Sequence, residues 1–434
     1  MVMRKYCPSH KQFDAVVEKD VLFYNYCMEH NSGGIYAGHL VDVTDRCNLK
    51  CRYCYHQKKD SDIPIETILK NCLAAPGPYI LTGGEPTLRE DIHAVIEAVK
   101  SIGPVTLLTN GRLAALLEHT HSARLIIIDN GSSRETALML DDFSEPLGER
   151  GLFISSDRNL GLVAAINTGL KRSDSDYAVI VRPHVLVTAG WLDRLLKTAS
   201  STGTGIVSPI FSGAGAVSLP PLPHGCSQIE TLDVSFSTLL LKGEMRMLLG
   251  EFNPDLDGGE WCLRDYIRRA GTLGFRTMLT SSVSLECGPD QQFGSLERRR
   301  EMAHISRKWY TDKWGTTHDY LAAFSTACDS DVFVETTADI LDGARQGHRY
   351  TLLLTRRQAA DFTRRGWSAL HTGISIERLP LLMPARALRK RSEVFRTGRP
   401  DSVLLYCGEE APAGFENTLP VSAVRRQWER NCGC

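Results

Sequence analysis

The sequence predicts an α/β protein built from successive α/β units. Three observations predict it. Apolar runs at 38–43, 78–82, 104–109 and 125–129 have the length and continuity of buried parallel strands, with helical stretches at 64–75 and 90–102 between them. The same alternation returns further on, with strand-like runs at 152–155, 178–182, His348–Thr355 and Asp401–Cys407. The chain has 434 residues, and at about 150 residues per domain that leaves room for roughly three cores.

Composition narrows the class. Lys+Arg 50 against Asp+Glu 51 gives a net charge of −1. This argues against a general nucleic-acid binder, which would carry a basic excess, although a local basic patch stays open. A hydrophobic content of 42% and a charged content of 23% are those of a globular protein and exclude disorder as the main state. No apolar run approaches the roughly 18 residues of a membrane span, so no membrane partner is expected. The start, Met1-Val-Met-Arg-Lys-Tyr-Cys7, has no apolar signal core, and a cytoplasmic location is expected. The 13 cysteines are odd in number and spread over a long chain. Reduced thiols are therefore expected rather than a disulfide framework. Cys72, Cys262 and Cys328 read as small buried hydrophobes.

In chain order, residues 1–37 read as an ordered N-terminal extension. A metal held by Cys7, His10, Cys27 and His30 is the alternative there. The first strand runs into Thr44-Asp-Arg-Cys-Asn-Leu-Lys-Cys-Arg-Tyr-Cys-Tyr-His56, a C-x3-C-x2-C spacing. Three thiolates on one short loop can wrap a soft metal centre. Three is one fewer than a closed zinc site or a four-cysteine cluster uses. A 4Fe–4S cluster held by three thiolates would leave one iron open to a substrate or cofactor. A zinc loop completed by His56 is the alternative. Next, Tyr79-Ile-Leu-Thr-Gly-Gly-Glu-Pro86 reads as a strand ending in a glycine turn, where the backbone can approach a ligand closely. Val105-Thr-Leu-Leu-Thr-Asn-Gly111 reads as another strand and turn.

With Cys47, Cys51 and Cys54, Tyr53 before the last cysteine, Gly83-Gly84-Glu85-Pro86, and Thr109-Asn110-Gly111, the chain resembles the radical S-adenosylmethionine (SAM) superfamily. The resemblance implies a partial (βα) barrel over 38–122 and a 4Fe–4S cluster on Cys47, Cys51 and Cys54. It implies SAM bound by Tyr53, Gly83, Gly84, Glu85 and Pro86, with Thr109 and Asn110 at the pocket edge. It also implies a reductant such as flavodoxin or ferredoxin. The activity implied is reductive cleavage of SAM to methionine and a 5′-deoxyadenosyl radical, which activates a C–H bond of a substrate. The cofactor carries that chemistry, and the protein positions it and excludes water.

Ala123-Arg-Leu-Ile-Ile-Ile-Asp-Asn-Gly-Ser-Ser133 begins a different pattern, continued by Asp157-Arg-Asn-Leu-Gly161, Ser173–Val185, Val187–Leu196, Gly205–Ile210, Gly259–Arg264 and Lys313-Trp-Gly315. In that order, over 123–315, these segments resemble an inverting GT-A glycosyltransferase, a Rossmann-related α/β domain. Asp129, Asn159, Arg182 and His184 are its nucleotide-sugar candidates, and Asp257 and Glu260, with Asp255, its candidate catalytic acids. The family's metal-binding Asp-x-Asp is replaced by Arg182-Pro183-His184, so the domain reads as degenerate. His184 could still join a divalent cation, and Arg182 could contact diphosphate directly. A rival reading continues one barrel to about 200, with 125–129 and 178–182 beside 104–109.

Residues 316–434 read as a small C-terminal α/β domain. Its segment Ala385–Arg399 is basic and reads as a solvated face, with an anionic contact as the alternative. The tail Cys432-Gly-Cys434 reads as unremarkable, with a reducing dithiol or a second cluster as alternatives. The reading as a whole is a radical SAM enzyme acting on a biosynthetic, sugar-containing substrate, be it a small molecule, glycan or peptide. The alternative is a glycosyltransferase, or a glycan or nucleotide-sugar binder, with an accessory iron–sulfur domain.

Overall fold

A computed structural model describes residues 2–7, 11–16, 39–46, 61–74, 77–83, 86, 89–107, 111–132, 137, 140–141, 144–213, 222–223, 225–288, 295–325, 328–382, 384–398, 402–408, 410–412, 414–415 and 418–424. The chain divides into two compact units, Met1–Gly111 and Arg112–Cys434.

The first unit opens with an antiparallel hairpin of β1 (Val2–Cys7) and β2 (Lys11–Val16). A parallel sheet of β3 (His39–Thr44), β4 (Tyr79–Gly83) and β5 (Val105–Leu107) follows, in that spatial order. Helices α1 (Ile65–Ala74) and α2 (Ile92–Lys100) make the crossovers between them. Val41, Val43 and Leu81 of the sheet pack on Ile68, Cys72, Val95 and Val99 of the helices, all buried. Each such aliphatic side chain stabilises the unit by roughly 1.5–3 kcal/mol. The Tyr79 hydroxyl donates to the Cys72 carbonyl oxygen at 2.8 Å, fixing the end of α1 to the sheet.

The second unit begins with α3 (Gly111–Glu118, counted from its first described residue). Next come β6 (Leu125–Asn130), β7 (Gly151–Ser156) and α4 (Leu162–Leu170). β6 and β7 pair in parallel as a sheet of their own. A six-stranded mixed sheet follows, built from β8 (Tyr177–Val181), β9 (Val185–Leu186), β10 (Thr204–Ser212), β11 (Gln228–Glu230), β12 (Thr238–Lys242) and β13 (Arg276–Cys287). Its order is β11-β13-β10-β12-β8, with β9 also on β13. Helices α5 (Trp191–Ala199), α6 (Gly243–Leu249), α7 (Glu260–Thr272) and α8 (Leu296–Trp314) cover it.

Side-chain alternation along the strands divides the core of this sheet. Ile206, Leu239 and Leu241 join Phe252, Cys262 and Tyr266 on one face, while Val207 and Leu240 join Trp191, Leu195 and Leu285 on the other. Phe252 and Tyr266 stack with ring centroids 3.9 Å apart.

Among the described residues, the strand-like runs of the middle of the chain pair as β5 with β4, β6 with β7 and β8 with β12. An apolar run states that a strand is buried but not which strand it joins, and parallel pairings are long-range. Helix α5 starts only at Trp191, because Gly190 takes a left-handed turn (φ 65°) that the helix cannot include.

The C-terminal part is a five-stranded parallel sheet of β14 (Asp319–Phe324), β15 (Arg349–Leu354), β16 (Ile374–Arg378), β17 (Val403–Cys407) and β18 (Leu419–Pro420). The order is β16-β15-β14-β17-β18. Helices α9 (Ser330–Arg345), α10 (Arg356–Arg364) and α11 (Pro384–Gly398) connect the strands. Thr355 and Gln358 form a reciprocal capping box at the start of α10. The basic segment expected as a solvated face is α11, which buries Leu388 and Ser392 and turns Arg386, Lys390 and Arg396 outward.

The six-stranded and five-stranded sheets of the second unit are tied at β11. Glu230 holds Arg345 through both carboxylate oxygens (2.7 and 2.9 Å), and its carbonyl oxygen accepts from the Thr372 N–H at 2.9 Å. Two buried histidines lie along this seam. His371 Nδ1 accepts from the Gly373 N–H (2.9 Å) and His348 Nδ1 from the His318 N–H (3.1 Å). Burial pushes His371 down to about 4, assisted by Arg345 and opposed by Asp233. Burial, then His318 and Arg268, pushes His348 down to about 3.

In the unfolded chain both histidines take a proton near pH 6.5. Between that pH and their folded values the unfolded state binds more protons, so stability falls as pH falls. The thermal midpoint of the second unit is expected to drop steeply between pH 6.5 and 4. His371→Gln should flatten that slope by on the order of 2 kcal/mol. Calorimetry across this range checks it, and an unchanged slope would contradict the assignment.

Candidate functional site

In the first unit, β3 and β4 lie side by side with their C-terminal ends on one edge, Thr44 opposite Gly83. Sites in parallel α/β folds form at such edges. The chain leaves β3 into the three-cysteine segment and returns through a clasp. The Thr44 hydroxyl donates to Asp62 Oδ1 at 2.6 Å, and the Asp45 N–H donates to the Ser61 carbonyl at 3.0 Å. Arg46 binds Asp62 through Nε (3.1 Å) and Nη2 (2.9 Å). Cys47, Cys51, Cys54 and Tyr53 themselves lie outside the described residues, as do Gly84, Glu85, Thr109 and Asn110. The same is true of His10, Cys27, His30, His56, Cys432 and Cys434.

Gly83 is the described member of the glycine turn that makes the closest approach. Its φ is +122°, and a Cβ there would overlap the Thr44 carbonyl oxygen. Only glycine lets β4 end against the start of the cysteine segment. Pro86 is buried. Sequence reasoning missed Arg89. Its guanidinium is buried and donates to the carbonyls of Val43 and Ile63 (2.6 Å for the latter) while gripping Asp91 through two 2.8 Å bonds. That grip holds the Asp91 carboxyl below its ordinary range. Arg89 thus ties the segment after the glycine turn to both flanks of the cysteine segment. The only signal for it in the sequence is the Arg-x-Asp pair after the turn, which is too common to single out.

A three-cysteine 4Fe–4S loop with SAM beside it needs a closed loop at a strand end and an adjacent backbone cradle with no side chain. The clasp at Thr44–Asp62 closes the base of the cysteine segment, and the side-chain-free backbone of Gly83 lies against Thr44 beside it, which fits that requirement.

In the second unit a cleft of about 2500 Å³ runs along β6, α4, β8, α7 and α8. Asp129 ends β6 and is buried, with Oδ1 accepting from the Ser132 N–H (3.0 Å) and Oδ2 from the Ser155 hydroxyl (2.8 Å). Burial pushes its carboxyl up, but these hydrogen bonds outweigh burial and hold it below the ordinary value. Asn159 and Asn130 are paired: Asn130 Nδ2 donates to Asn159 Oδ1 (3.1 Å) and accepts at Oδ1 from the Leu160 N–H (2.8 Å). This staples the end of β6 to the entrance of α4.

Arg182 and His184 sit on the turn after β8 and line the cleft. His184 Nε2 lies 3.0 Å from the Ser237 hydroxyl, which accepts from the Ser235 hydroxyl at 3.0 Å. Asp257 caps α7, its carboxylate accepting from the N–H groups of Gly259, Trp261 and Cys262 at 3.1, 3.3 and 3.2 Å. Glu260 is half-exposed and pairs with Arg264 at 3.4 Å. Asp255 is exposed. Arg182, His184, Asp257, Glu260 and Asn159 all line the cleft, whereas Asp129 is buried behind its neighbour Asn130 and is not in the lining. Ser132, Ser155, Ser237 and Asn130 are the partners that sequence reasoning missed.

The family described as Radical SAM superfamily matches residues 41–128, and that described as Glycosyl transferase family 2 matches residues 111–243. The chain carries a radical SAM segment followed by a glycosyl transferase family 2 segment. The two matches share 111–128, and β6, which ends just beyond that overlap, is paired with β7 of the transferase segment.

Among relatives, the GTP 3′,8-cyclase of Aquifex aeolicus is 29% identical over 159 residues, covering 32% of this chain and 49% of that protein. A probable GTP 3′,8-cyclase of Methanothermobacter marburgensis is 35% identical over 82 residues, 17% of this chain and 27% of that protein. The pre-heme d1 synthase of Dinoroseobacter shibae is 38% identical over 81 residues, 17% of this chain and 20% of that protein. The chain thus spans between a fifth and a half of the length of these relatives. Among solved structures, GalNAc-T7 with UDP, GalNAc and Mn2+ superimposes with a TM-score of 0.36 at 14% identity, covering 47% of this chain and 46% of that one. S. aureus TarS 1–349 with UDP-GlcNAc gives 0.36 at 12% identity, over 45% and 60%.

Among the described residues no helix is long and apolar enough to cross a membrane.

Proposed function

We propose that this protein is a radical SAM enzyme whose transferase segment holds a sugar-containing or nucleotide-linked substrate. The observation that carries the reading is the clasped cysteine segment beside Gly83. Cys47, Cys51 and Cys54 would hold a 4Fe–4S cluster, and Gly83, Gly84, Glu85 and Pro86, with Tyr53, Thr109 and Asn110, would hold SAM. When bound and reduced, the cluster supplies the electron that splits the sulfonium C–S bond of SAM, giving methionine and a 5′-deoxyadenosyl radical. Thr44, Asp62 and Arg46 keep the cysteine segment closed at its base. Arg89 anchors the chain beyond the glycine turn, and the missing side chain at Gly83 lets β4 end against Thr44, next to the start of the cysteine segment. A reductant such as flavodoxin or ferredoxin would supply the electron.

In this reading the transferase segment binds without transferring. The carboxylate of Asp257 is committed to capping α7, and Arg182-Pro183-His184 stands where a carboxylate pair would hold a metal. The alternative, an active glycosyltransferase with Glu260 or Asp255 as base and a divalent cation near His184, predicts hydrolysis or transfer from a nucleotide sugar.

Anaerobic reconstitution with iron and sulfide, then dithionite and SAM, tests the main reading. The wild-type protein should show a 4Fe–4S signal and release 5′-deoxyadenosine. Replacing Cys47, Cys51 and Cys54 by Ala should bring both to background. A cluster signal that survives the triple replacement sinks the proposal.

A further inference from the structure

We propose that the loop between β16 and α11, with the cations around it, docks the protein on an anionic lipid surface. The proposal is independent of the reading of the clasp and of the cleft.

Leu381 and Leu382 are 73% and 82% exposed. A single exposed leucine is ordinary, but two in succession at a loop tip present an apolar knob to water. The knob is held from below. Leu379 is buried, and its N–H donates to the Leu354 carbonyl oxygen at 2.8 Å. Leu388, in the second turn of α11, is buried in the same cluster as Leu379. Pro380 and Pro384 bracket the tip. Two of its backbone positions therefore carry no N–H that would have to give up water on entering a lipid interface.

Charge says what covers the knob. Residues 378–397 carry six cations, Arg378, Arg386, Arg389, Lys390, Arg391 and Arg396, against one acid, Glu393. Arg391 is neutralised by Glu377 at 2.6 Å. Arg378, Arg386 and Lys390 are exposed and make no ion pair among the described residues. Arg378 stands three residues before Leu381. Arg386 and Lys390, one turn apart, lie on the face of α11 turned away from the buried Leu388 and Ser392. Another exposed apolar pair, Met247 and Leu248 on α6, has no such collar. Its neighbouring cations are committed, Arg246 to the carbonyls of Leu170 and Ser175 and Lys242 to Glu244.

An apolar knob inside a cationic collar matches a bilayer with negative headgroups. The leucines enter the boundary between headgroups and acyl chains, while guanidinium and ammonium groups stay at the level of the lipid phosphates. One weak signal gives only marginal attachment, and the two together give a stable one. Single-stranded nucleic acid would meet the cations equally well but would gain little from the leucines, because bases are held by stacking on aromatic rings.

Vesicle flotation of the full chain tests the docking. Vesicles of equal parts phosphatidylcholine and phosphatidylglycerol should carry the protein with them at low salt, and vesicles of phosphatidylcholine alone should not. The partition coefficient should fall at least tenfold in L381S/L382S. In R386Q/K390Q it should fall severalfold and lose most of its salt dependence. All four side chains are exposed, so both variants should keep the wild-type thermal midpoint. M247S/L248S should float as wild type does. No flotation with the anionic vesicles, equal flotation with both kinds, or flotation unchanged in L381S/L382S overturns the proposal. Light scattering after gel filtration addresses the remaining occupant. A wild-type dimer that L381S/L382S dissociates, without vesicle binding, gives the knob to a second copy and overturns the proposal too. These measurements need no SAM and no reduced cluster, so a failure here is separate from a failure of the radical chemistry.

Discussion

Replacing Asp265 with Ala is expected to destabilise the second unit by about 3 kcal/mol, because it strips a buried carboxylate from the charges and donor it binds. Asp265 lies on α7 with its side chain 1% exposed. Oδ2 accepts from Arg269 Nε at 2.9 Å, and Oδ1 accepts from Lys313 Nζ at 2.8 Å and from the Trp314 indole N–H at 2.9 Å. Two of these partners are at the C-terminal end of α8, so a single carboxylate fastens α8 to α7. That helix needs the fastening, since only Ser306 and Tyr310 among its 19 residues are buried. Arg269 keeps its bonds to the carbonyls of Leu249 and Glu251, which limits the loss. Asp265→Asn should cost less, because the amide oxygen can still accept from the indole. Urea unfolding followed by tryptophan fluorescence measures both. Equal midpoints for wild type and D265A would show that α8 is held by something else.

Gly83→Val should lower SAM-dependent 5′-deoxyadenosine formation by at least tenfold. Two penalties coincide at this position. A φ of +122° is strained for any side chain, by about 1–3 kcal/mol, and the new Cβ would overlap the Thr44 carbonyl oxygen. Relief requires β4 to part from β3 where the cysteine segment begins, so the effect falls on the cofactor edge and not on the core around Leu81. Gly83→Ala should show the same effect in weaker form. The comparison to make is turnover against cluster content. Turnover lost while the cluster is retained places the damage at the SAM side of the edge, whereas G83V with wild-type turnover would remove Gly83 from the site.

The two halves of the candidate machinery were legible to different degrees. Cys47, Cys51, Cys54 and the glycine turn were readable because ligand chemistry restricts which residue types can stand there and at what spacing. Arg89 and the clasp at Thr44–Asp62 were not. Their side chains act across 18 to 46 residues, and nothing local marks an arginine as the partner of a distant carbonyl. In the transferase segment, the order of motifs singled out Asp129 and Asn159 as candidates, but not their hydrogen-bond partners. The same holds for Asp257, legible as an acidic residue near a helix start, while its commitment to capping α7 became visible only once three N–H groups were seen to converge on it.

From the sequence alone came the α/β class, the positions of β3–β8, β15 and β17 to within a few residues, the cysteine segment and the change of pattern at Ala123. Each rests on periodicity or on residue types over a short stretch, which neighbouring residues determine by themselves. Tertiary structure alone decided which strands share a sheet: β5 with β4, β6 with β7, and β8 at the edge of the six-stranded sheet. It also brought Arg298 and Arg299 to the same cleft as Arg349, some fifty residues later. Pairing and convergence of this kind depend on burying distant apolar faces together, and that free energy is not written in any one segment.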